Sequence, residues 1–158
     1  LGIDGVSLLL ILLTTVLTNR LTDHVREELG ASYSPYGEVT VYTAPSPTVE
    51  TVVQITGDPD QLDVLAAVVQ DDLAALRDAG PTDAEFDDAL AAAEQEYDLF
   101  DNDTIADLLA RTPAHPQVLE AFIERRSVLA DVEPSALRGF IALVLPANRY
   151  FDLRLLPA

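Results

Sequence analysis

The chain has 158 residues, 49% of them hydrophobic, and 27 acidic residues against nine basic ones give it a formal net charge of −18. This length suits one domain with a sizeable core, and the charge disfavours binding to the phosphate backbone of nucleic acid. The absence of cysteine excludes disulfides and thiolate metal sites, and it leaves the cellular compartment open.

The first predicted element is a long helix from about Asp4, a natural N-cap residue, to Leu29, with Gly30 just after its end. Its apolar run, Val6–Leu17, is 12 residues long, whereas a helix that crosses a bilayer needs about 20. Apolar residues then continue at steps of four, as on one buried stripe of a helix. We therefore expect a core helix and no membrane span.

Two strands are predicted next, within "SYSPYGEVTVYTA" and "TVETVVQITG". Apolar or β-branched residues alternate with more polar ones in both segments, and "PSP" separates them. This pattern is typical of an antiparallel hairpin with one packed face and one wetter face.

Two helices with clear end signals follow the hairpin. The first begins at Asp58 and Pro59 and stops at Gly80. Thr82 and Glu85 then form a capping-box pattern at the start of the next helix.

The remaining segments predict three helical pieces and a strand. The helical pattern weakens at "DNDT" and resumes until Pro113, and two more helices lie in "PQVLEAFIERRSVLADV" and "EPSALRGFIALVL". The segment "NRYFDLRLLP" has an alternating pattern and is predicted to form a last strand.

This order of elements predicts an α+β fold, in which helices cover one face of an antiparallel sheet. Three strands are few for so much helix, and the chain opens on "LGIDGV" with no methionine at any position. We expect residues 1–158 to be a single domain, a fragment of a longer protein that lacks a strand before Leu1. An open sheet edge recruits partners, so self-association through strand pairing is also expected.

Acidic residues concentrate between Asp58 and Asp103. This segment contains 15 acidic residues and one basic residue, Arg77. The simplest interpretation is a solvated helical surface. A calcium loop starting at Asp101 is the alternative, but "DNDTIADLL" lacks the glycine and the later glutamate that such a loop uses.

His24 opens the sequence "HVREE", which has the form H-x-x-E-E. Inverted zinc peptidases use H-x-x-E-H on a helix, and Glu28 could replace the second histidine as a ligand. No third ligand is evident, and His115 lies in a loop between prolines. We therefore predict no metal site in this chain.

Arg26 and Tyr33 flank the predicted turn at Gly30. One interpretation is structural, because an arginine in the last helical turn complements the helix dipole and a tyrosine suits a strand. The other is functional, because the two side chains could converge on a carbonyl or a developing oxyanion.

The stretch "LTNRLTDHVREELGASYSPYG" resembles the non-zinc C-terminal half of insulinase/pitrilysin-family zinc metallopeptidases. That half carries an apolar helix, then S-R-L, then R-E-x-x-G-x-x-Y-S. The matching residues here are Asn19-Arg20-Leu21, Arg26-Glu27, Gly30 and Tyr33-Ser34. Asn19 departs from the usual serine, while the arginine–tyrosine spacing of seven is the distinctive feature.

The resemblance implies a half-domain of the pitrilysin or mitochondrial-processing-peptidase type. It implies that Arg26 and Tyr33 hold the carbonyl of a peptide substrate, and that this chain carries no metal or cofactor. Zinc would lie on the N-terminal half of the same protein or on a partner subunit. Two alternatives stay open, a non-catalytic scaffold or partner subunit of the same architecture and an acidic interaction module without a catalytic link.

Overall fold

The computed structural model describes residues 3–29, 35–42, 45–46, 48–98, 102–113 and 116–155. The elements in chain order are α1 (Ile3–Leu29), β1 (Tyr36–Tyr42), β2 (Thr48–Gln54), a 3-10 turn (Pro59–Gln61), α2 (Leu62–Ala79), α3 (Asp83–Asp98), α4 (Asn102–Arg111), α5 (Gln117–Asp131) and α6 (Pro134–Val144). Helices packed with an antiparallel hairpin confirm the predicted α+β class.

Helix α1 is the centre of the fold, in contact with β1, α2, α3, α5 and α6. It begins one residue before Asp4 and ends at Leu29 as predicted, whereas Gly30 lies outside the described residues. Its inward side chains are almost fully buried: Leu8, Leu9, Leu12, Leu13, Val16, Leu17, Leu21 and Val25. Burial of so much apolar surface is the main force that holds the other elements around α1.

By length and composition, the part of α1 from Gly5 to Arg26 could also cross a bilayer. The prediction against a span rested on the shorter run Val6–Leu17. In the fold, the leucine stripe of α1 belongs to a core cluster with side chains such as Leu76 and Ile141. The apolar side chains of α1 are therefore buried inside the domain, as expected of a core helix.

Strands β1 and β2 form the predicted antiparallel hairpin, with Val39 opposite Thr51 and Gly37 opposite Val53. Gly37 is buried against α1, and a Cβ atom added there would lie 3.1 Å from Cδ2 of Leu17. This close approach between helix and strand is the reason that a glycine suits the position.

The predicted end signals of α2 are confirmed. Asp58 accepts a hydrogen bond from the backbone N–H of Asp60 at 3.0 Å, although the first turn is 3-10 rather than α-helical. Gly80 follows α2 with a φ of 78°, a conformation that glycine adopts without strain. Helix α3 extends to Asp98 and α4 begins at Asn102, and residues 99–101, between the two, lie outside the described residues, so the interruption near "DNDT" stays a prediction.

The predicted last strand is wrong, because residues 149–155 have no regular secondary structure. No described strand pairs with this segment, so the sheet among the described residues has only β1 and β2. Arg154 instead binds Oδ1 of Asp63 at 2.5 Å and a carboxylate oxygen of Asp152 at 3.0 Å. The Asp63 pair places the segment at the start of α2, whereas the Asp152 pair lies within the segment itself.

The predicted capping box at α3 is confirmed and has a further partner on α1. The backbone N–H of Thr82 donates to Glu85 Oε2 at 2.7 Å, and the Glu85 N–H donates to the Thr82 hydroxyl at 3.2 Å. Arg20 also donates to both Glu85 oxygens, from Nε at 2.6 Å and from Nη2 at 2.5 Å. One carboxylate therefore caps α3 and ties it to α1.

The Arg20–Glu85 pair is mostly shielded from water, with side-chain exposures of 10% and 24%. Burial of Glu85 favours its protonated form, but hydrogen bonds from Arg20 and Thr82 outweigh that effect and lower its pKa from 4.5 to about 2. A folded-state pKa below the unfolded value means that the ionised group stabilises the fold. That stabilisation is complete above about pH 4.5 and is lost as the pH falls towards about 2.

We predict that Glu85→Gln lowers the free energy of unfolding at pH 6–7 by at most on the order of 3 kcal/mol, the scale set by this pKa shift. Denaturant unfolding of wild type and variant between pH 2 and pH 7 measures the difference. The difference should shrink steadily below pH 4.5. Glu96→Gln, at an exposed position of the same helix, should change little at any pH, and an equal effect of both substitutions would contradict the assignment.

We further predict opposite effects of alanine at two glycines. Gly37→Ala should destabilise the domain by about 1–3 kcal/mol, the usual cost of overpacking, because Leu17 leaves too little room for a Cβ atom. Gly139→Ala in α6 should stabilise it by about 0.5–1 kcal/mol through helix propensity, because nothing lies within 4 Å of its added Cβ atom. Thermal unfolding of the two variants tests both signs, and stabilisation by Gly37→Ala would contradict the packing of α1 on β1.

Candidate functional site

A surface depression of about 250 Å³ lies between the C-terminal part of α1 and the start of α3. Its lining residues are Val16, Asn19, Arg20, Thr22, Asp23, Arg26, Glu85 and Asp88. Most of the α1 residues in this set recur at steps of three or four, so they share one face of the helix. Asn19 and Arg20 of the Asn-Arg-Leu motif therefore share one surface with Arg26, whereas Leu21 is buried in the core.

Arg26 is the exposed cation of this depression. It lies in the last turn of α1, where a positive charge is favoured by the helix dipole. Its side chain is exposed, and it has no hydrogen bond or ion pair with the part of the chain that the structure describes. The guanidinium can therefore donate hydrogen bonds to a carbonyl or carboxylate of a ligand.

Arg20 has a different task, because both of its hydrogen bonds go to Glu85. In the sequence, Arg20 is distinguished only as part of the motif, and its partner is not predicted. The two residues are 65 positions apart, and no local pattern links them. The depression thus contains Arg20, which is paired with Glu85, and Arg26, which has no partner among the described residues and can bind a ligand.

Tyr33, the second predicted site residue, lies outside the described residues, as do Gly30 and Ser34. The described residues resume at Pro35, which is buried immediately before β1. The convergence of Arg26 and Tyr33 on one ligand atom therefore stays a prediction.

His24, the candidate zinc ligand, is hydrogen-bonded through Nδ1 to Oδ1 of Asp72 on α2 at 2.5 Å. The His24 side chain is 48% exposed, whereas that of Asp72 is 5% exposed. Burial raises the pKa of Asp72, and the hydrogen bond with His24 and the charge of Arg20 partly offset this rise. Asp72 occupies a position on the buried stripe of α2, four residues before Leu76, and this was the sequence signal that could have found it.

The described residues do not suit a zinc ion. They contain no group of three His, Cys, Asp or Glu side chains that could hold a metal. Nδ1 of His24 is already engaged by Asp72, and the side chains of Glu28 and His115 lie outside the description. The calcium-loop alternative also fails in geometry, because Asn102–Arg111 is helical where such a loop would have to be open.

The comparisons with known proteins give one match. The family model described as the Peptidase M16 inactive domain matches residues 4–93, which is more than half of the chain. No curated protein and no solved structure matches the chain significantly. The matched region includes α1, the hairpin, α2, the capping box and the depression. The chain therefore belongs to the M16 peptidase inactive-domain family, the non-zinc C-terminal domains of insulinase-family peptidases.

Proposed function

We propose that this chain is the substrate-binding domain of a zinc metallopeptidase, in which Arg26 and Tyr33 hold the carbonyl of a bound peptide. The observation that supports the proposal most strongly is the exposed Arg26, free of partners among the described residues, inside the segment that matches the family. An arginine that only stabilised the fold would be expected to have a partner of its own, as Arg20 does.

The chemistry proposed for the two side chains is hydrogen-bond donation. A guanidinium presents several N–H donors in a fixed plane, and a phenol presents one O–H donor. Donors aimed at an oxygen whose negative charge grows in the transition state accelerate acyl transfer. Arg26 and Tyr33 would bind and orient the carbonyl and stabilise the charge that develops on it.

An inactive domain of this family implies a catalytic domain beside it. In this proposal that domain, in the same protein or on a partner subunit, carries the zinc ion and its H-x-x-E-H motif. Zinc supplies there the activation of water for attack on the peptide bond. The present chain contributes the surface that receives the peptide backbone, and Arg20 and Glu85 keep the end of α1 in place.

In the assembled peptidase, we predict that Tyr33→Phe lowers kcat by about 10²–10³-fold, the cost of removing one oxyanion donor, with little change in KM. Arg26→Ala should also reduce turnover, and Arg26→Lys should restore it poorly, because an ammonium group cannot reproduce a planar fork. Steady-state kinetics with a peptide substrate measures these effects. Arg77→Ala is the matched control, because Arg77 binds its own neighbour Asp78 on α2 and should leave kcat unchanged.

Stability measurements on the same variants separate the proposal from a structural role. Arg26 is exposed, so Arg26→Ala should shift the melting temperature little. Normal turnover per folded molecule together with a clear loss of stability would overturn the catalytic role. That result would favour a non-catalytic scaffold of the same architecture.

We predict that the purified 158-residue chain alone binds no stoichiometric zinc and cleaves no peptide. The physical reason is that His24 is committed to Asp72 and no third ligand accompanies it among the described residues. Metal analysis after dialysis against zinc, followed by a peptide-cleavage assay, provides the measurement. One tightly held zinc ion per chain would overturn the assignment of the metal to another domain.

A further inference from the structure

The packed face of the sheet is less well covered near the outer edge of β2. On the packed face of the sheet, the β1 residues Gly37 and Val39 are buried, whereas Thr51 and Val53 opposite them are only partly buried. Val49, next along this face of β2, is 37% exposed. Helix α1 contacts β1 and α6 contacts β2, but this cover weakens towards the outer edge of β2, and no strand among the described residues pairs with that edge.

Residues 149–155 have the complementary character. Their sequence, RYFDLRL, alternates so that Phe151, Leu153 and Leu155 would share one face of a strand. These three side chains are 101%, 83% and 86% exposed. Such a row of large apolar side chains in water is a marker of an interaction surface.

We propose that residues 149–155 of a second copy of this chain add to the outer edge of β2 as an antiparallel strand, and that two copies exchange these segments. In the proposed register, Phe151 lies opposite Val53, Leu153 opposite Thr51, and Leu155 opposite Val49. All three apolar side chains then cover the part of the packed face that α1 leaves open.

The opposite face of the same register brings complementary charges together. Arg154 lies opposite Glu50, which is exposed on the wetter face of β2. The Glu50 carboxylate also raises the pKa of Tyr42 on the neighbouring strand. Arg154 would exchange its present partner, Asp63, for Glu50, so that one ion pair replaces another.

A second copy is the proposed partner of the β2 edge because, within one chain, residues 149–155 lie away from that edge. The exposed Arg154–Asp63 ion pair places that segment at the start of α2 rather than along β2, and it is weak enough to be exchanged for a contact with a second copy. Reciprocal exchange between two copies covers both open edges at once and gives a closed twofold dimer, the commonest symmetry of homo-oligomers. Strand addition at an open edge also pairs backbone groups that otherwise face solvent.

The test uses the absence of cysteine in the natural chain. Thr51→Cys with Leu153→Cys places the two thiols directly opposite in the proposed register, at a separation that suits a disulfide. Thr51 is a tolerant position for cysteine, since its Oγ1 is buried without a partner. Mild oxidation should give a covalent dimer on non-reducing gels, with mixed dimers when two differently tagged chains are combined.

Val52→Cys with Leu153→Cys is the matched control, because Val52 points to the opposite face of the sheet and should cross-link far less. A disulfide within one chain would overturn the exchange. So would equal cross-linking of the two pairs, or a strict monomer in light scattering at high concentration.

A charge exchange gives a second readout that does not depend on cysteines. Glu50→Arg should weaken the dimer by about tenfold in dissociation constant, because two like-charge contacts replace two exposed ion pairs in the dimer while Arg154 keeps its Asp63 partner in the monomer. Adding Arg154→Glu to the same chain should restore most of that loss in sedimentation experiments. Failure of the second substitution to restore the dimer would contradict the register.

Discussion

The ion pair between Arg20 and Glu85 is the contact on which the geometry of the candidate site depends. It joins the C-terminal part of α1 to the first turn of α3 through two hydrogen bonds. The same carboxylate caps α3 through Thr82. Because the cap and the pair share Glu85, the depression beside them has a wall that cannot move without breaking both.

Helix α1 links stability with function. Its leucine stripe fills the core and contacts most other elements, and the end of the same helix presents Arg26 to solvent. The helix fixes the backbone position of Arg26, whereas the exposed guanidinium keeps its rotamer freedom until a ligand orders it. In the proposed function, the domain supplies position and hydrogen-bond donors, while the metal chemistry belongs to the catalytic domain.

Local sequence patterns predicted most of the helices and the hairpin. They did not predict the contacts between residues that are far apart in the sequence. The capping box and the glycine at Gly80 act within a few residues, so the sequence was sufficient to find them. The partners of Arg20 and His24 come from helices 65 and 48 positions away, and neither follows from spacing. The last strand failed for a related reason: residues 149–155 alternate correctly, but the segment lies at the start of α2 rather than along the open edge of β2, and alternation alone does not decide between these places. Of the two predicted site residues, Arg26 lies exposed at the expected helix end, and the role of Tyr33 stays a prediction.

The central claim is that Arg20 and Glu85 act as a coupled pair that fixes α1 against α3. A double-mutant cycle with Arg20→Ala, Glu85→Ala and the double variant, read as free energy of unfolding near neutral pH, tests it most directly. We expect a coupling free energy of about 1–3 kcal/mol, the range for contacting, mostly shielded charges. Additive effects with no coupling would contradict the account, because the two side chains would then stabilise the domain independently.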